Sequence, residues 1–248
     1  MSATTGTQAL CQSLVAAVDH AVVNNGTCLM AFYEESPPDI LHHSMDPGTA
    51  RHYLDRYLAG PYLLDPLYQL AIRTRKATAC RFRDAIPDRF RSSEYYRQYY
   101  ERTHLRDEMD FLVPAGPKAK LVLVVGRFHR RFSKNELRRM ESIEAIIFST
   151  MAQIWEAERG MSQANSRDGR LHRRLAQCLA DFGAATLTRR ERQIAQLLLR
   201  GHSAKSVARE LRIAPGTVMV HKRNLFAKLS ITSQYELFSL FINELSNT

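Results

Sequence analysis

Residues 214–230, APGTVMVHKRNLFAKLS, predict a helix with two unlike faces that follows a Pro-Gly turn. Val218, Leu225 and Leu229 recur at helical spacing and can pack on a core. The other side carries side chains suited to polar, cationic or aromatic contacts: Met219, Lys222, Arg223 and Phe226, with His221 at the border. Such a face is suited to contact with a polyanion, and the positions of the remaining charges test that interpretation.

The basic charge of the chain is concentrated around this helix. The 248 residues carry a formal net charge of +10. Residues 185–230 contain ten Lys and Arg against Glu191 and Glu210, whereas residues 1–158 contain twenty basic and nineteen acidic residues. An ordinary basic surface is the alternative, but it does not explain why the charge coincides with a two-faced helix. The pattern therefore predicts a nucleic-acid-binding module in the C-terminal part of the chain.

The predicted elements after residue 170 are all helical. The first covers residues 171–182, the second ends at Gly201, and the turn RIAPG separates a short helix from the two-faced helix. Side chains that typically cap helices precede the later helices. These start signals are the capping box Thr188 with Glu191, the cap Ser203, and the capping box Ser233 with Glu236.

Residues 187–231 closely resemble the DNA-binding domain of LuxR/NarL-type transcription regulators. The matching features are Leu187-Thr188-x-x-Glu191, the Gly201 stop, Ala208 with Leu211, Thr217-Val218-x-x-His221 and Lys228-Leu229. The resemblance implies an all-α, four-helix domain over residues 183–248, with a helix-turn-helix at 203–222 that binds double-stranded DNA. It further implies a homodimer and contact with RNA polymerase. A helical bundle that binds no DNA is the alternative.

The resemblance and the helix geometry together assign DNA-contact roles. Thr217 lies in the first helical turn, where its hydroxyl and the free N–H groups suit a phosphate. By resemblance, positions 219, 220 and 223 face base edges, where Arg223 can pair with guanine and Val220 can meet a thymine methyl. Lysine side chains are expected on phosphates, ordinary solvated lysine being the alternative. The predicted DNA contacts are Ser203, Lys205, Thr217, Met219, Val220, Lys222, Arg223 and Lys228.

Two positions depart from the family pattern. Met219 stands where the family often has Lys or Arg, which removes one polar base contact and prevents transfer of a known recognition sequence. Ser206 stands where an acid usually follows the Ser203 cap, so that capping box is incomplete.

Residues 1–158 predict an α+β sensor domain with an antiparallel sheet in an α/β/α sandwich. Residues 159–182 are predicted to be a linker and a connecting helix, because 159–170 are small and polar without an apolar period. The predicted strands are 27–35, 39–45, 78–86, 108–115 and 120–128. The predicted helices are 7–24, 49–59, 62–75, 92–105 and 133–158, the last opened by a capping box of Ser133 with Glu136.

The layout of this half resembles GAF/PAS-like sensors and, more narrowly, the acyl-homoserine-lactone-binding domains of quorum-sensing regulators. The narrower resemblance depends on Tyr53-x-x-x-Tyr57 followed by Asp65-Pro66, where those domains have Trp-x-x-x-Tyr, Asp-Pro slightly further on, and a second Trp. In those domains the Asp accepts the ligand amide N–H. Core packing is the alternative for the aromatic residues, and Asp65 before Pro66 can instead cap a helix. The candidate effector contacts are Tyr33, Tyr53, Tyr57, Asp65, Phe82 and Phe111.

These patterns exclude several other classes of protein. A receiver domain is excluded because the first strand carries no acidic pair for magnesium. No catalytic constellation or cofactor-binding loop occurs, and His42 and His43 point to opposite faces of a strand, so neither an enzyme nor a metal site is predicted. The four cysteines are widely spaced and no window approaches a membrane span.

The sequence therefore predicts a cytoplasmic, sequence-specific transcription regulator that acts as a homodimer. Its sensor half is expected to bind a small-molecule effector, an acyl-homoserine lactone or another compound. The alternative is a sensor half that binds a partner protein and no ligand.

Overall fold

The computed structural model describes residues 2–159 and 169–246. The strands are β1 Gly26–Tyr33, β2 Asp39–His43, β3 Thr78–Arg81, β4 Asp107–Pro114 and β5 Ala119–Arg127. The first seven helices are α1 Ser2–Ala21, α2 Pro47–Leu58, α3 Pro66–Arg73, α4 Phe82–Ala85, α5 Glu94–Gln98, α6 Lys134–Ser142 and α7 Glu144–Arg159. The remaining five are α8 Gly169–Asp181, α9 Arg189–Leu199, α10 Ala204–Leu211, α11 Pro215–Lys228 and α12 Gln234–Ser246. Short 3-10 turns span Pro61–Leu64, Phe90–Ser92 and Tyr100–Thr103.

The chain forms two compact units. The first, here called the sheet unit, comprises Met1–Ala59, Leu67–Ala85 and His104–Gly169. The second, here called the helical unit, comprises Gly60–Pro66, Ile86–Thr103 and Arg170–Thr248. Most of the predicted linker, residues 160–168, lies outside the described residues. The predicted division near residue 160 stays a prediction.

The sheet unit contains the predicted antiparallel sheet, with strand order β2-β1-β5-β4-β3. Strands β1 and β5 pair along their length, from Gly26 opposite Gly126 to Tyr33 opposite Ala119. Because side chains alternate along a strand, the sheet has two distinct faces. One face packs in a core with α1, α6 and α7 that includes Leu29, Phe111 and Leu123. The predicted α+β class is therefore confirmed.

The opposite face of the sheet combines apolar and polar side chains. Phe32 on this face packs edge-on against Tyr68 of α3, with ring centroids 5.3 Å apart. The alternation along β4 also places Glu108 and Asp110 there, and both residues are buried. This face thus contains buried carboxyl groups, in contrast to the apolar core on the other side.

Several predicted elements differ from those observed. The predicted helix 133–158 is divided at Ile143 into α6 and α7, although its Ser133–Glu136 capping box is confirmed. The predicted helix 92–105 is two 3-10 turns around the five-residue α5. The third predicted strand, 78–86, ends at Arg81 and continues as α4. In each case an element is shorter than its hydrophobic pattern suggested, because tertiary packing overrides local propensity.

The helical unit contains the five predicted C-terminal helices. Its core includes Ile194 of α9, Val207 of α10 and Val218 of α11, all fully buried. Phe182, which directly follows α8, packs edge to face against Phe241 of α12 at a centroid distance of 5.6 Å. The predicted all-α C-terminal domain is confirmed.

Candidate nucleic-acid interface

Helix α11 presents the two faces predicted from its sequence. Val218 and Leu225 are fully buried, and they attach the helix to the core of the helical unit. Met219 and Val220 are 56% and 47% exposed, and Arg223 is also exposed. Arg223 lies four residues after Met219 and three after Val220, so it shares one side of the helix with both. This free side faces away from the core and is available to a partner.

The first turn of α11 has unsatisfied backbone donors. Ala214 occupies the cap position without a side-chain hydrogen bond, and Pro215 is the first helical residue. Thr217 is exposed in the same turn. The free N–H groups and the hydroxyl together form a site of the kind that binds phosphate.

The lysines predicted to contact phosphate lie in three different environments. Lys205 is exposed on α10. Lys222 is half-buried, its Nζ atom lying 5.2 Å from the centroid of the Phe226 ring. Burial lowers the pKa of Lys222, and the nearby charge of Arg89 lowers it further. Lys228 is held by an ion pair, with its Nζ 2.7 Å from Oε2 of Glu191.

The Lys228–Glu191 pair connects two helices of the unit. Glu191 is buried and accepts hydrogen bonds from the Thr188 N–H and hydroxyl at 2.8 and 2.9 Å, which completes the predicted capping box. Burial alone would raise the pKa of Glu191, but the hydrogen bonds from Lys228 and Thr188 lower it overall. In this conformation Lys228 stabilises the fold, and its predicted phosphate contact stays a prediction.

Ser203, another predicted DNA contact, caps α10 as expected. Its Oγ atom accepts the N–H of Ser206 at 3.1 Å. Its own N–H donates to Oδ1 of Asp88 at 3.0 Å, and its hydroxyl donates to Oδ2 of the same residue. The sequence did not predict a role for Asp88, because 115 residues separate it from Ser203. The sequence feature that pointed toward such a contact was Ser206, which stands where a capping box has an acid.

Known proteins resemble the chain over both of its halves. Residues 185–241 match the GerE domain, described as bacterial regulatory proteins of the luxR family. An HTH-type transcriptional regulator in the exeN 3' region of Aeromonas salmonicida is 35% identical over 157 residues, which are 61% of this chain and 80% of that protein. The chain belongs to the LuxR family.

A further relative extends over more of this LuxR-family chain, and a solved structure covers a similar share of it. The monoamine regulon transcriptional regulator of Klebsiella aerogenes is 24% identical over 206 residues, 82% of this chain and 77% of that protein. The crystal structure of the VqsR LBD domain from Pseudomonas aeruginosa is 22% identical, with a TM-score of 0.49, and covers 60% of this chain and 96% of that one. The GerE match and the Aeromonas salmonicida relative confirm the predicted LuxR-type transcription regulator.

The candidate effector residues of this LuxR-family protein occupy different places. Phe111 lies in the core beside α7, edge-on to Phe148 at 6.1 Å. Tyr33 packs against the same core and lies 6.4 Å from Trp155 between ring centroids. These two aromatic residues therefore take the packing role that was the alternative for them. Their contact with an effector stays a prediction.

The other four candidates are described by their burial and position. Tyr57 and Phe82 are buried, whereas Tyr53 is half-buried. Asp65 is buried immediately before Pro66, which is the first residue of α3. Asp65 belongs to the helical unit, whereas the other candidates belong to the sheet unit.

Two cysteine thiols of this regulator, Cys28 and Cys80, are in environments that keep them protonated. Burial raises the pKa of Cys28 to about 12, and the charge of Glu108 contributes. Burial also raises the pKa of Cys80 to about 11, with further contributions from Glu108 and Asp84. Because the thiolate is the reactive species, neither residue has the character of a nucleophile or a redox-sensing cysteine.

Among the described residues, no group of three His, Cys, Asp or Glu side chains is arranged to hold a metal ion. No described helix is both long and apolar enough to cross a membrane.

Proposed function

We propose that this LuxR-family transcription regulator reads base sequence through the exposed side of α11. The observation that supports this most directly is that α11 has a buried side and an exposed side. Val218 and Leu225 are fully buried, whereas Met219 and Val220 are about half exposed. Because its buried side is attached to the core of the helical unit, α11 can enter the major groove of DNA with its exposed side and leave that core undisturbed. Arg223 offers a bidentate donor for guanine, and Val220 offers an apolar contact for a thymine methyl.

Phosphate contacts are assigned to groups around this helix. Thr217 and the free N–H groups of the first turn suit one phosphate, and exposed Lys205 suits another. Lys222 contributes positive charge beside the reading face, although it is half-buried. These contacts strengthen binding to every sequence and make it dependent on salt.

The test compares variants of base-contacting and phosphate-contacting residues on a duplex selected from a random library. Arg223→Ala is expected to weaken binding by about 1–3 kcal/mol and to relax preference at one base pair. Lys222→Ala is expected to weaken all sequences evenly and to lower the salt slope by about 1. Arg131→Ala, an exposed arginine of the sheet unit, is the control. Identical behaviour of Arg223→Ala and Lys222→Ala would overturn the assignment of roles.

We further infer that the sheet unit binds a small-molecule effector. Support comes from the face of the sheet opposite the core formed with α1 and α7. The alternation of side chains along the strands places Phe32, Leu112 and Val122 on that face. Glu108 and Asp110 lie on the same face. A mostly apolar surface with a few polar groups is typical of small-molecule sites. A homoserine lactone is one candidate effector, and the residues here do not select it over other compounds.

Thermal unfolding with and without candidate compounds separates an effector-binding sensor from a partner-binding module. A compound that binds only the native state adds about 2.7 kcal/mol of stability at a hundredfold excess over its Kd. The panel contains lactones, amines and other metabolites, followed by mass spectrometry of the purified protein for a retained ligand. A sheet unit that responds to no compound but captures a protein supports the alternative.

A homodimer through α12 is the proposed assembly. Leu237, Phe238 and Phe241 are buried within the helical unit. Between residues 234 and 244, where burial is described, Tyr235 and Leu240 are the exposed large apolar residues of this helix. A dimer would place two copies of α11 on successive turns of DNA. Sedimentation velocity of the wild type and of Leu240→Glu tests it, since a dimer interface at α12 predicts dissociation of the variant.

A further inference from the structure

Helix α10 lacks the local acidic residue that completes the capping boxes of α6 and α9. In a capping box, the third helical residue returns a carboxylate to the N–H of the cap residue. Here that residue is Ser206, whose hydroxyl lies 2.8 Å from Nδ1 of His202. The Ser203 N–H bonds instead to Asp88, whose two carboxylate oxygens receive the N–H and the hydroxyl of Ser203. Asp88 therefore completes the box from a distant segment.

Backbone contacts beside Asp88 fix this arrangement. The Arg89 N–H donates to the Gly201 carbonyl oxygen at 3.0 Å. Gly201 has a φ of 88°, and a Cβ atom there would lie 2.9 Å from the Cα of Phe90. Phe90 is buried and packs edge-on against Tyr96 and Tyr100, at centroid distances of 5.5 and 5.4 Å. Residues 88–90 thus pack closely on the turn that precedes α10.

The carboxylate of Asp88 has the chemistry of a DNA phosphate. Both are anions that accept hydrogen bonds from an N–H and a hydroxyl at a helix N-terminus, where the helix dipole favours negative charge. Burial would raise the pKa of Asp88, but the hydrogen bonds from Ser203 lower it, so the group is ionised near neutral pH. A DNA phosphate and this carboxylate therefore require the same donors of Ser203.

The same segment also affects the reading helix. The charge of Arg89 lowers the pKa of Lys222 on α11, after the larger effect of burial, which places Arg89 near that lysine. Lys222 is a predicted phosphate contact. The segment that supplies Asp88 thus lies close to DNA-binding groups on both helices of the helix-turn-helix.

We propose that residues 86–103 form a releasable latch on the DNA-reading module, in which Asp88 occupies the donors of Ser203 that a DNA phosphate uses. DNA and the latch then compete for the first turn of α10. Both ends of the latch continue into the sheet unit, through α4 on one side and β4 on the other. A change in the sheet unit that pulls on these ends favours release and therefore DNA binding.

The latch is tested in the full chain by charge-neutral variants. Asp88→Asn removes the competing anion, and Glu101→Gln is the matched control, since Glu101 is an exposed acid of the same segment. Binding is measured by fluorescence anisotropy on a mixed-sequence duplex of about three helical turns. Asp88→Asn is expected to bind about tenfold more tightly than the wild type, and Glu101→Gln less than about twofold more tightly. Equal effects of the two variants would overturn the latch.

Hydrogen exchange of the wild type provides a second readout that needs no variant. Addition of saturating duplex is expected to speed exchange of the Arg89 amide, because its bond to Gly201 breaks on release. Unchanged or slower exchange in residues 88–93 with duplex bound would contradict the latch. The inference depends on the DNA-reading role, and absence of duplex binding by every variant would overturn both. Normal binding without the difference between variants would overturn the latch alone.

Discussion

Helices α9 and α10 follow each other in the chain, and they obtain their N-terminal caps in opposite ways. The α9 cap is local, because Thr188 and Glu191 bond to each other within four residues. The α10 cap requires Asp88, which lies 115 residues away from Ser203. A local cap forms whenever its helix forms, whereas a cap from a distant segment can be removed without unfolding the helix. The comparison separates caps that maintain the fold from a cap that is available for regulation.

The capping box of α6 is also local, because its two residues, Ser133 and Glu136, are three positions apart. Glu136 is buried and accepts the Ser133 N–H at 2.8 Å, and it also pairs with Arg127 at 2.9 Å. Arg127 is itself buried and lies over the Phe132 ring. The closed boxes at α6 and α9 therefore each add a cation from elsewhere in their unit.

The largest expected effect is on the α6 box. Glu136→Ala leaves the buried Arg127 without its carboxylate, which should cost about 3–5 kcal/mol in the free energy of unfolding. Urea denaturation followed by circular dichroism measures the change. Glu141→Ala, an exposed acid of the same helix, is the control and should change the free energy by about 0.5 kcal/mol or less. A similar result for the two variants would show that the α6 box contributes little.

Acidification should weaken the same box in the wild type. Burial raises the pKa of Glu136, but hydrogen bonds from Ser133, Arg127 and Arg130 outweigh it and lower the pKa from 4.5 to about 2. A carboxyl whose pKa is lower in the folded state stabilises above its unfolded pKa and loses that contribution as pH falls through its folded pKa. Stability should therefore fall between about pH 4.5 and 2. Glu136→Gln should show a smaller fall, and identical pH curves would contradict the assignment.

The next effect concerns α9. Glu191→Ala removes the acceptor for Thr188 and for Lys228, and should cost about 2 kcal/mol, because a cap and a charged hydrogen bond are lost together. Lys228 is partly exposed, so water compensates for part of the lost ion pair. Thermal unfolding monitored by circular dichroism measures the loss. A loss below about 0.5 kcal/mol would place this box in the same class as the cap of α10.

The smallest expected effect on stability is that of Asp88→Asn. Ser203 still caps α10 through its Oγ atom, so the free energy of unfolding should fall by about 1 kcal/mol or less. The same thermal unfolding experiment compares it with Glu191→Ala. A loss larger than that of Glu191→Ala would mean that the distant cap maintains the fold, against the contrast between α9 and α10.

The contrast also explains which features the sequence could predict. The two faces of α11 and the caps at Ser133, Thr188 and Ser203 depend on spacings of a few residues, and all were predicted. The Ser233 box was predicted in part: the Ser233 Oγ atom accepts the Glu236 N–H at 3.2 Å, but the Glu236 carboxylate bonds to the N–H and hydroxyl of Thr232. The division at Ile143 and the Asp88–Ser203 contact were not predicted, because both depend on tertiary packing rather than on local spacing.

The candidate effector site shows the same limitation. The aromatic residues of the sheet unit were identified by type, but residue type does not reveal which face of the sheet each side chain joins. Phe111, an effector candidate, lies in the core beside α7, and its contact with an effector stays a prediction. One-residue alternation in β4 separates it from Asp110 on the other face.

A double-mutant cycle of Asp88→Asn and Ser206→Glu tests most directly whether α10 depends on a distant cap. Ser206→Glu supplies the missing local carboxylate and should make Asp88 redundant. When Ser206 is unchanged, Asp88→Asn is predicted to tighten duplex binding about tenfold. When Ser206→Glu is also present, Asp88→Asn is predicted to tighten duplex binding no more than about twofold. An equal tightening in both backgrounds would show that Asp88 does not act through the Ser203 cap.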